Sequence, residues 1–243
     1  MSKEVLGRIH SVESLGAVDG PGIRVVIFVQ GCKLRCLYCH NPDSWNNTDG
    51  EIISAQDVVE KIKQYRPFIK NGGVTISGGE PLLQPEFVTE ILRLCKNELI
   101  HTAVDTAGSV DLDIAKNVID LSDMLLLDIK DLNPVDSVKL CGTTPNQTIT
   151  ILKYCEKINK RVWIRHVLVP GYTLVTSKLE TLAKFLESFK CVEKIELLPF
   201  HKLGEYKWKN LKLNYKLATV QPPSEIDYKK ANLIFTLHGL KVH

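Results

Sequence analysis

Along the chain, short runs of consecutive apolar residues alternate with longer stretches in which apolar residues recur every three or four positions. The first kind reads as strand buried on both faces, the second as amphipathic helix packed on one side. Strands are predicted over Arg24–Gln30 (RVVIFVQ), Val74–Ser77 (VTIS), Ile100–Asp105 (IHTAVD), Met124–Lys130 (MLLLDIK), Arg161–Val169 (RVWIRHVLV) and Val192–Leu198 (VEKIELL). Helices are predicted over Ser54–Tyr65, Pro85–Cys95 and Leu179–Phe189. Ser54, with Asp57 three residues on, is close to a capping box. In the second helix Phe87, Val88, Ile91, Leu92 and Cys95 share a face, and in the third Leu179, Leu182, Ala183, Leu186 and Phe189 do.

Six β/α units in one direction imply an α/β fold with a parallel sheet and right-handed crossovers. An open doubly wound sheet and a curved, barrel-like one both fit. In either, chemistry collects at the C-terminal ends of the strands. The unusual polar residues fall there: a cysteine cluster after the first strand, SGGE after the second, DTAG after the third, DIK at the fourth, RHVLVPG at the fifth and LPFH after the sixth.

With 243 residues, 44% of them hydrophobic, the chain is expected to form a single domain over 1–243. Its 31 basic and 28 acidic residues are interspersed, so charge gives no case for nucleic acid or an anionic membrane surface. Runs such as Val25–Val29 and Met124–Leu127 are too short to cross a bilayer. Lys3 and Glu4 stand where the apolar core of a signal peptide would begin, and a cytoplasmic protein is expected. Seven cysteines, an odd number, argue for metal or catalytic thiols over a disulfide framework.

Three of those cysteines, Cys32, Cys36 and Cys39, lie in GCKLRCLYCHN, Gly31 to Asn41. Zinc sites usually pair C-x2-C with a second ligand pair further on, and none follows. A thioredoxin-like site needs only C-x2-C and leaves Cys32 over. A [4Fe–4S] cube bound by three thiolates keeps one iron open for a substrate or cofactor. Three buried structural cysteines, or zinc with His40 as fourth ligand, are the alternatives. Gly31 allows a tight turn out of the strand. Elsewhere, Asp128 and Lys130 lie two apart on one strand and share a face. Arg165, charged within an apolar strand, needs a partner.

C-x3-C-x2-C with an aromatic residue, Tyr38, before the last cysteine resembles the radical SAM (S-adenosylmethionine) superfamily. GRIHSVESLGAVDGPGIRVVIFVQGCKLRCLYCHNPDSW, Gly7 to Trp45, resembles the N-terminal segment of its glycyl-radical-enzyme activating family. SGGEPLLQPEF, DTAG, LLLDIK, VWIRHVLVPG and IELLPFHKLGEYKW resemble later segments in the same order. The resemblance implies a partial parallel (β/α)6 barrel of radical SAM type. It implies one [4Fe–4S] cluster with Cys32, Cys36 and Cys39 as ligands and SAM on the fourth iron. The activity implied is reductive cleavage of SAM to a 5′-deoxyadenosyl radical, which abstracts hydrogen from a glycine of a partner enzyme.

By the same resemblance Gly78, Gly79 and Glu80 take the SAM amine. Asp128, Ile129 and Lys130 lie along SAM, and Tyr38, Cys39, His40 and His201 meet the adenosyl group. Asp105 and Asp128 are expected to hold a monovalent cation nearby. Arg165 is expected to meet either the SAM carboxylate or an aspartate such as Asp128, and Asp19 in DGPGIR to touch the partner's peptide. Asn41 to Gly73 contains no cysteine, so the ferredoxin-like insert of some activating enzymes is absent. That favours the branch acting on pyruvate formate-lyase, in anaerobic glucose metabolism, with a flavodoxin- or ferredoxin-type electron donor. Ala107 stands where a relative form has an amide side chain, and no role is assigned there. Cys95 and Cys155, in helical segments, read as packing residues. The rival readings are activation of another glycyl radical enzyme, a radical SAM enzyme for a small molecule, and a non-catalytic metal-binding module.

Overall fold

The structure is a computed structural model that describes residues 4–242, so Lys3 lies outside the described residues. The elements in chain order are β1 (Leu6–Gly16), β2 (Arg24–Val29), β3 (Glu51–Ser54), α1 (Ala55–Lys63), β4 (Gly73–Gly78), α2 (Pro85–Asn97), β5 (Thr102–Thr106), α3 (Leu112–Leu121), β6 (Met124–Asp128), α4 (Pro134–Cys141), α5 (Asn146–Lys157), β7 (Arg161–Leu168), α6 (Thr176–Leu186), β8 (Val192–Pro199), α7 (Glu205–Asn210) and α8 (Glu225–Leu237). The six expected strands are β2 and β4 to β8, with ends moved by one or two residues. The three expected helices are α1, α2 and α6, the last ending at Leu186, so that Phe189 lies beyond it.

The sheet is mostly parallel, in the order β3-β1-β2-β4-β5-β6-β7-β8, with β3 and β8 as edges. Two strands were not expected. β1 runs antiparallel to both β2 and β3 and extends the parallel series. Parallel ladders join β2 to β4, β4 to β5, and β7 to β8.

The chain divides into two compact units. The first runs through Lys33 and resumes over Ser44–Leu126; the second holds Leu34–Asp43 and the chain from Leu127 onward. In the first, Val25, Val26, Ile27, Val74 and Ile76 of the sheet are fully buried, as are Val58, Ile62, Val88 and Ile91 of α1 and α2. Each such side chain contributes roughly 1.5–3 kcal/mol by leaving water. Ser54 caps α1, its Oγ accepting from Asp57 N at 3.0 Å. In the second unit Ile164, Leu168, Ile195 and Leu197 are buried, as are Leu179, Leu182 and Leu186 of α6. Among the described residues no helix is long and apolar enough to cross a membrane.

Candidate active site

The first unit carries the turn out of β2 and the ends of β4 and β5. Gly31 has φ +99°, in the left-handed region that favours glycine. Its N–H donates to Ser44 O at 2.7 Å, and Cys32 N donates to Trp45 O at 3.2 Å. Gly31 O accepts from Glu80 N at 2.8 Å. A Cβ on Gly79 would stand 2.2 Å from that same oxygen, so the strand ends approach too closely for any side chain there. The Glu80 carboxylate is turned inward and almost fully buried. It accepts from Thr106 Oγ1, from Ala107 N at 3.0 Å and from Leu82 N at 3.1 Å. Ser77 Oγ donates to Asp105 Oδ2 at 2.8 Å. SGGE and DTAG are therefore one hydrogen-bonded assembly. Burial pushes the Glu80 carboxyl up to about 7, against the three hydrogen bonds that favour its ionised form.

Asp19 is half-buried in the turn before β2, and its carbonyl accepts from Thr75 Oγ1 at 2.6 Å. The same Thr75 oxygen accepts from Arg24 Nε at 2.6 Å. Arg24 also donates to Pro21 O at 3.0 Å and Val74 O at 2.6 Å and is fully buried. Burial lowers its pKa to about 10, which leaves it cationic at neutral pH. Arg24, the last residue of DGPGIR, and Thr75, neither given a role of its own from sequence, tie the turn to β4.

The second unit carries the remaining cysteines and most of the expected SAM contacts. Cys36 and Tyr38 are buried, while Cys39 and His40 are half-buried. Lys130 Nζ pairs with Asp128 Oδ2 at 2.9 Å and stands 5.6 Å from the Tyr38 ring centroid. Tyr38 Oη is buried with no hydrogen-bond partner among the described residues. Ile129 N donates to Arg165 O at 3.0 Å, and Ile129 O faces His166 Nδ1 at 2.7 Å. The Arg165 guanidinium lies 3.5 Å from Glu196 Oε2, across the β7–β8 pair. Glu196 is thus one carboxylate beside it. Register places the pair: residue 165 of β7 stands opposite residue 196 of β8.

His40 and His201 stack, with ring centroids 4.0 Å apart at 21°, and His40 Nε2 lies 3.2 Å from His201 O. Burial, then the neighbouring His201 and Lys207, lower the His40 pKa and favour its neutral imidazole. Trp208 Nε1 donates to Cys39 O at 2.8 Å. Lys207 Nζ reaches Asn41 Oδ1 at 2.8 Å and Asp43 Oδ2 at 2.9 Å. The segment from His201 through α7 therefore clamps Cys39–Asp43. Trp208 and Lys207 were missed as site residues, because neither type alone signals a grip on a loop more than 160 positions earlier.

Among the described residues no three His, Cys, Asp or Glu side chains stand together as a metal-ligating group. Assignment of the cysteine trio rests on thiol chemistry and spacing. A cavity of about 730 Å³ lined by Trp163, Lys194, His238 and Lys241 shares no residue with the expected site.

Comparison with known proteins bears on the whole chain. The description of the radical SAM superfamily matches residues 26–186. The chain is 45% identical over 228 residues to a pyruvate formate-lyase-activating enzyme of Clostridium pasteurianum, covering 93% of this chain and 95% of that one. It is 42% identical over 242 residues to a pyruvate formate-lyase 1-activating enzyme of Escherichia coli K12, covering 98% of each. Among solved structures, a domain of a pyruvate-formate lyase-activating enzyme from Bacteroides vulgatus is similar with a TM-score of 0.60 and 29% identity, over 71% of this chain and 98% of that one. Streptococcus suis SuiB bound to its precursor peptide SuiA shares the fold, with a TM-score of 0.69 at 21% identity over 89% of this chain and 47% of that one.

Proposed function

Because this chain belongs to the radical SAM superfamily and, within it, to the pyruvate formate-lyase-activating enzymes, we propose that it installs a glycyl radical in pyruvate formate-lyase. The observation that carries the reading is the Gly31–Asn41 loop, which leaves a parallel strand with three thiols, none in a disulfide. Soft thiolates are the donors a [4Fe–4S] cluster takes, and three of them leave one iron open. The unpartnered Tyr38 Oη adds a buried polar atom with hydrogen-bonding capacity to spare. The residues thus fit the cofactors. Cys32, Cys36 and Cys39 would hold three irons, and SAM would complete the fourth. With both bound, they supply one-electron reductive cleavage of the sulfonium and a primary carbon radical able to take hydrogen from a glycine α-carbon.

The chain's own residues bind and orient. Gly78 and Gly79 offer backbone to the SAM amine. Glu80 shapes that backbone by tying it to Thr106 and Ala107. Asp128, Ile129 and Lys130 line SAM, with the Lys130 ammonium held by Asp128. The stacked imidazoles of His40 and His201, with Tyr38 and Cys39, offer flat and backbone polar surface to the adenosyl group. Arg165, beside Glu196, would meet the SAM carboxylate. Asp19 meets the partner's glycine loop from a turn that Arg24 holds rigid. A monovalent cation near Asp105 and Asp128 belongs to the same proposal; at Asp128 it shares the carboxylate with Lys130. The electron donor is of flavodoxin or ferredoxin type, and the chain acts in the cytoplasm as one functional domain.

The test is anaerobic reconstitution, followed by electron paramagnetic resonance with reductant, SAM and pyruvate formate-lyase. About four irons and four sulfides per chain are expected, with an organic radical on the partner. Partner deuterated at the glycine α-carbon should yield 5′-deoxyadenosine carrying deuterium. SAM cleavage with no partner radical would leave the superfamily reading standing and remove the partner.

A further inference from the structure

Cys141 has no part in the three-cysteine motif, yet the fold brings it against Cys36. It is the last residue of α4, which Gly142 ends in the left-handed conformation with φ 84°. The two final carbonyls of that helix do not face solvent. Cys141 O accepts from Arg35 N at 2.8 Å, and Leu140 O accepts from Leu37 N at 2.9 Å. These bonds bracket Cys36 on both sides and strap it to the helix end. The side chains are neighbours as well: both are buried, and each thiol shifts the other's acidity. Cys141 is fully buried, its Sγ also 3.2 Å from Ser137 O and 3.7 Å from Thr143 O.

In the metal-free chain either thiol can donate to the other. Iron ligation changes this, because a ligating cysteine has given up its proton and can only accept. Cys141 is then the thiol of the pair that still carries hydrogen. Its other acceptors are neutral carbonyls, whereas the sulfur of Cys36 would carry negative charge, and charge-assisted hydrogen bonds are the stronger ones. Hydrogen bonds to ligand sulfurs are among the features that set an iron–sulfur potential, since they draw electron density from the sulfur and favour the reduced cluster.

We propose that Cys141 is a positioning residue for the cluster, fixing the Cys36 segment through the end of α4 and donating its thiol hydrogen to the Cys36 sulfur, which raises the cluster's reduction potential. The proposal rests on the cluster assignment made above and adds to it a fourth cysteine that is not a ligand.

Two measurements test it. In the metal-free native chain, a thiol oxidant such as diamide should join Cys36 to Cys141, giving that linked peptide pair by mass spectrometry. Failure to find it would remove the juxtaposition. In the reconstituted protein, Cys141→Ala should keep its iron while its midpoint potential, measured by a titration followed by electron paramagnetic resonance, moves negative. Cys141→Ser, which restores a donor, should bring most of that shift back. An unchanged potential in Cys141→Ala, or equal shifts in both variants, would overturn the hydrogen-bonding role. If Cys141→Ala takes up no iron, Cys141→Val against Cys141→Ser carries the same comparison, and loss of iron in all three would make Cys141 a ligand and overturn the proposal. If the native chain assembles no cluster, the cofactor reading fails instead, and the oxidative link still reports on the cysteine pair by itself.

Discussion

Glu80 is a carboxylate whose neighbours and burial disagree. Three donors favour its ionised form, yet loss of water outweighs them and its pKa stands at about 7, above the ordinary 4.5. A carboxyl raised in the folded chain favours folding while protonated. Its contribution is complete below about pH 4.5 and is lost as pH rises through about 7, an effect of order 3 kcal/mol. Denaturant midpoints of the metal-free chain should fall across that window, and Glu80→Gln should flatten the fall. A native profile that is level from pH 4.5 to 7.5 would contradict it. The cysteines separate as cleanly. Cys36→Ala should lose the cluster, whereas alanine at Cys95, Cys155 or Cys191, all buried in packing positions, should leave iron content unchanged. Iron and sulfide analysis after anaerobic reconstitution decides between them.

At the scale of elements, what the sequence made legible follows burial. β2 and β6 announce themselves because Val25 to Ile27 and Met124 to Leu127 are wholly buried, and such strands are apolar at every position. β1 was invisible for the opposite reason: His10, Ser11, Glu13 and Ser14 sit on an antiparallel strand with much of its length open to water. β3 has four residues, too few for a pattern. In α8 only Ala231 and Phe235 are buried, which leaves almost no apolar stripe to detect. The site divides likewise. Its motifs could be read where they are local, at Cys32–Cys39 and SGGE. The Arg165–Glu196 pairing and the clamp from α7 depend on register and on distant chain, which spacing does not encode. That clamp has a measurable weight. Trp208→Phe keeps an aromatic ring but removes the donor to Cys39 O, at a cost of about 1 kcal/mol. Iron release to a chelator should quicken in this variant, and an unchanged release rate would mean the indole serves packing alone.

For the whole molecule the question is how cofactor chemistry reaches another protein. The DGPGIR turn is fixed through its backbone by Arg24 and Thr75. Asp19→Ala should therefore leave reductive SAM cleavage close to native and slow radical appearance on the partner. The two rates are read separately, as 5′-deoxyadenosine by chromatography and as spin on the partner. Equal loss of both would assign Asp19 to the SAM pocket or the fold.

The hydrogen bond from the Trp208 indole to the Cys39 backbone also makes the protein self-reporting. Iron–sulfur clusters absorb broadly across the visible and near-ultraviolet, where indoles emit. Of the three tryptophans, Trp208 touches the backbone of one proposed ligand and Trp45 accepts from the amide of another, Cys32 N, at 3.2 Å. The third, Trp163, is covered by Lys194 at 4.0 Å from its ring centroid. Intrinsic fluorescence should thus dim as cluster is loaded and brighten as oxygen destroys it, giving a label-free optical gauge of intact cofactor.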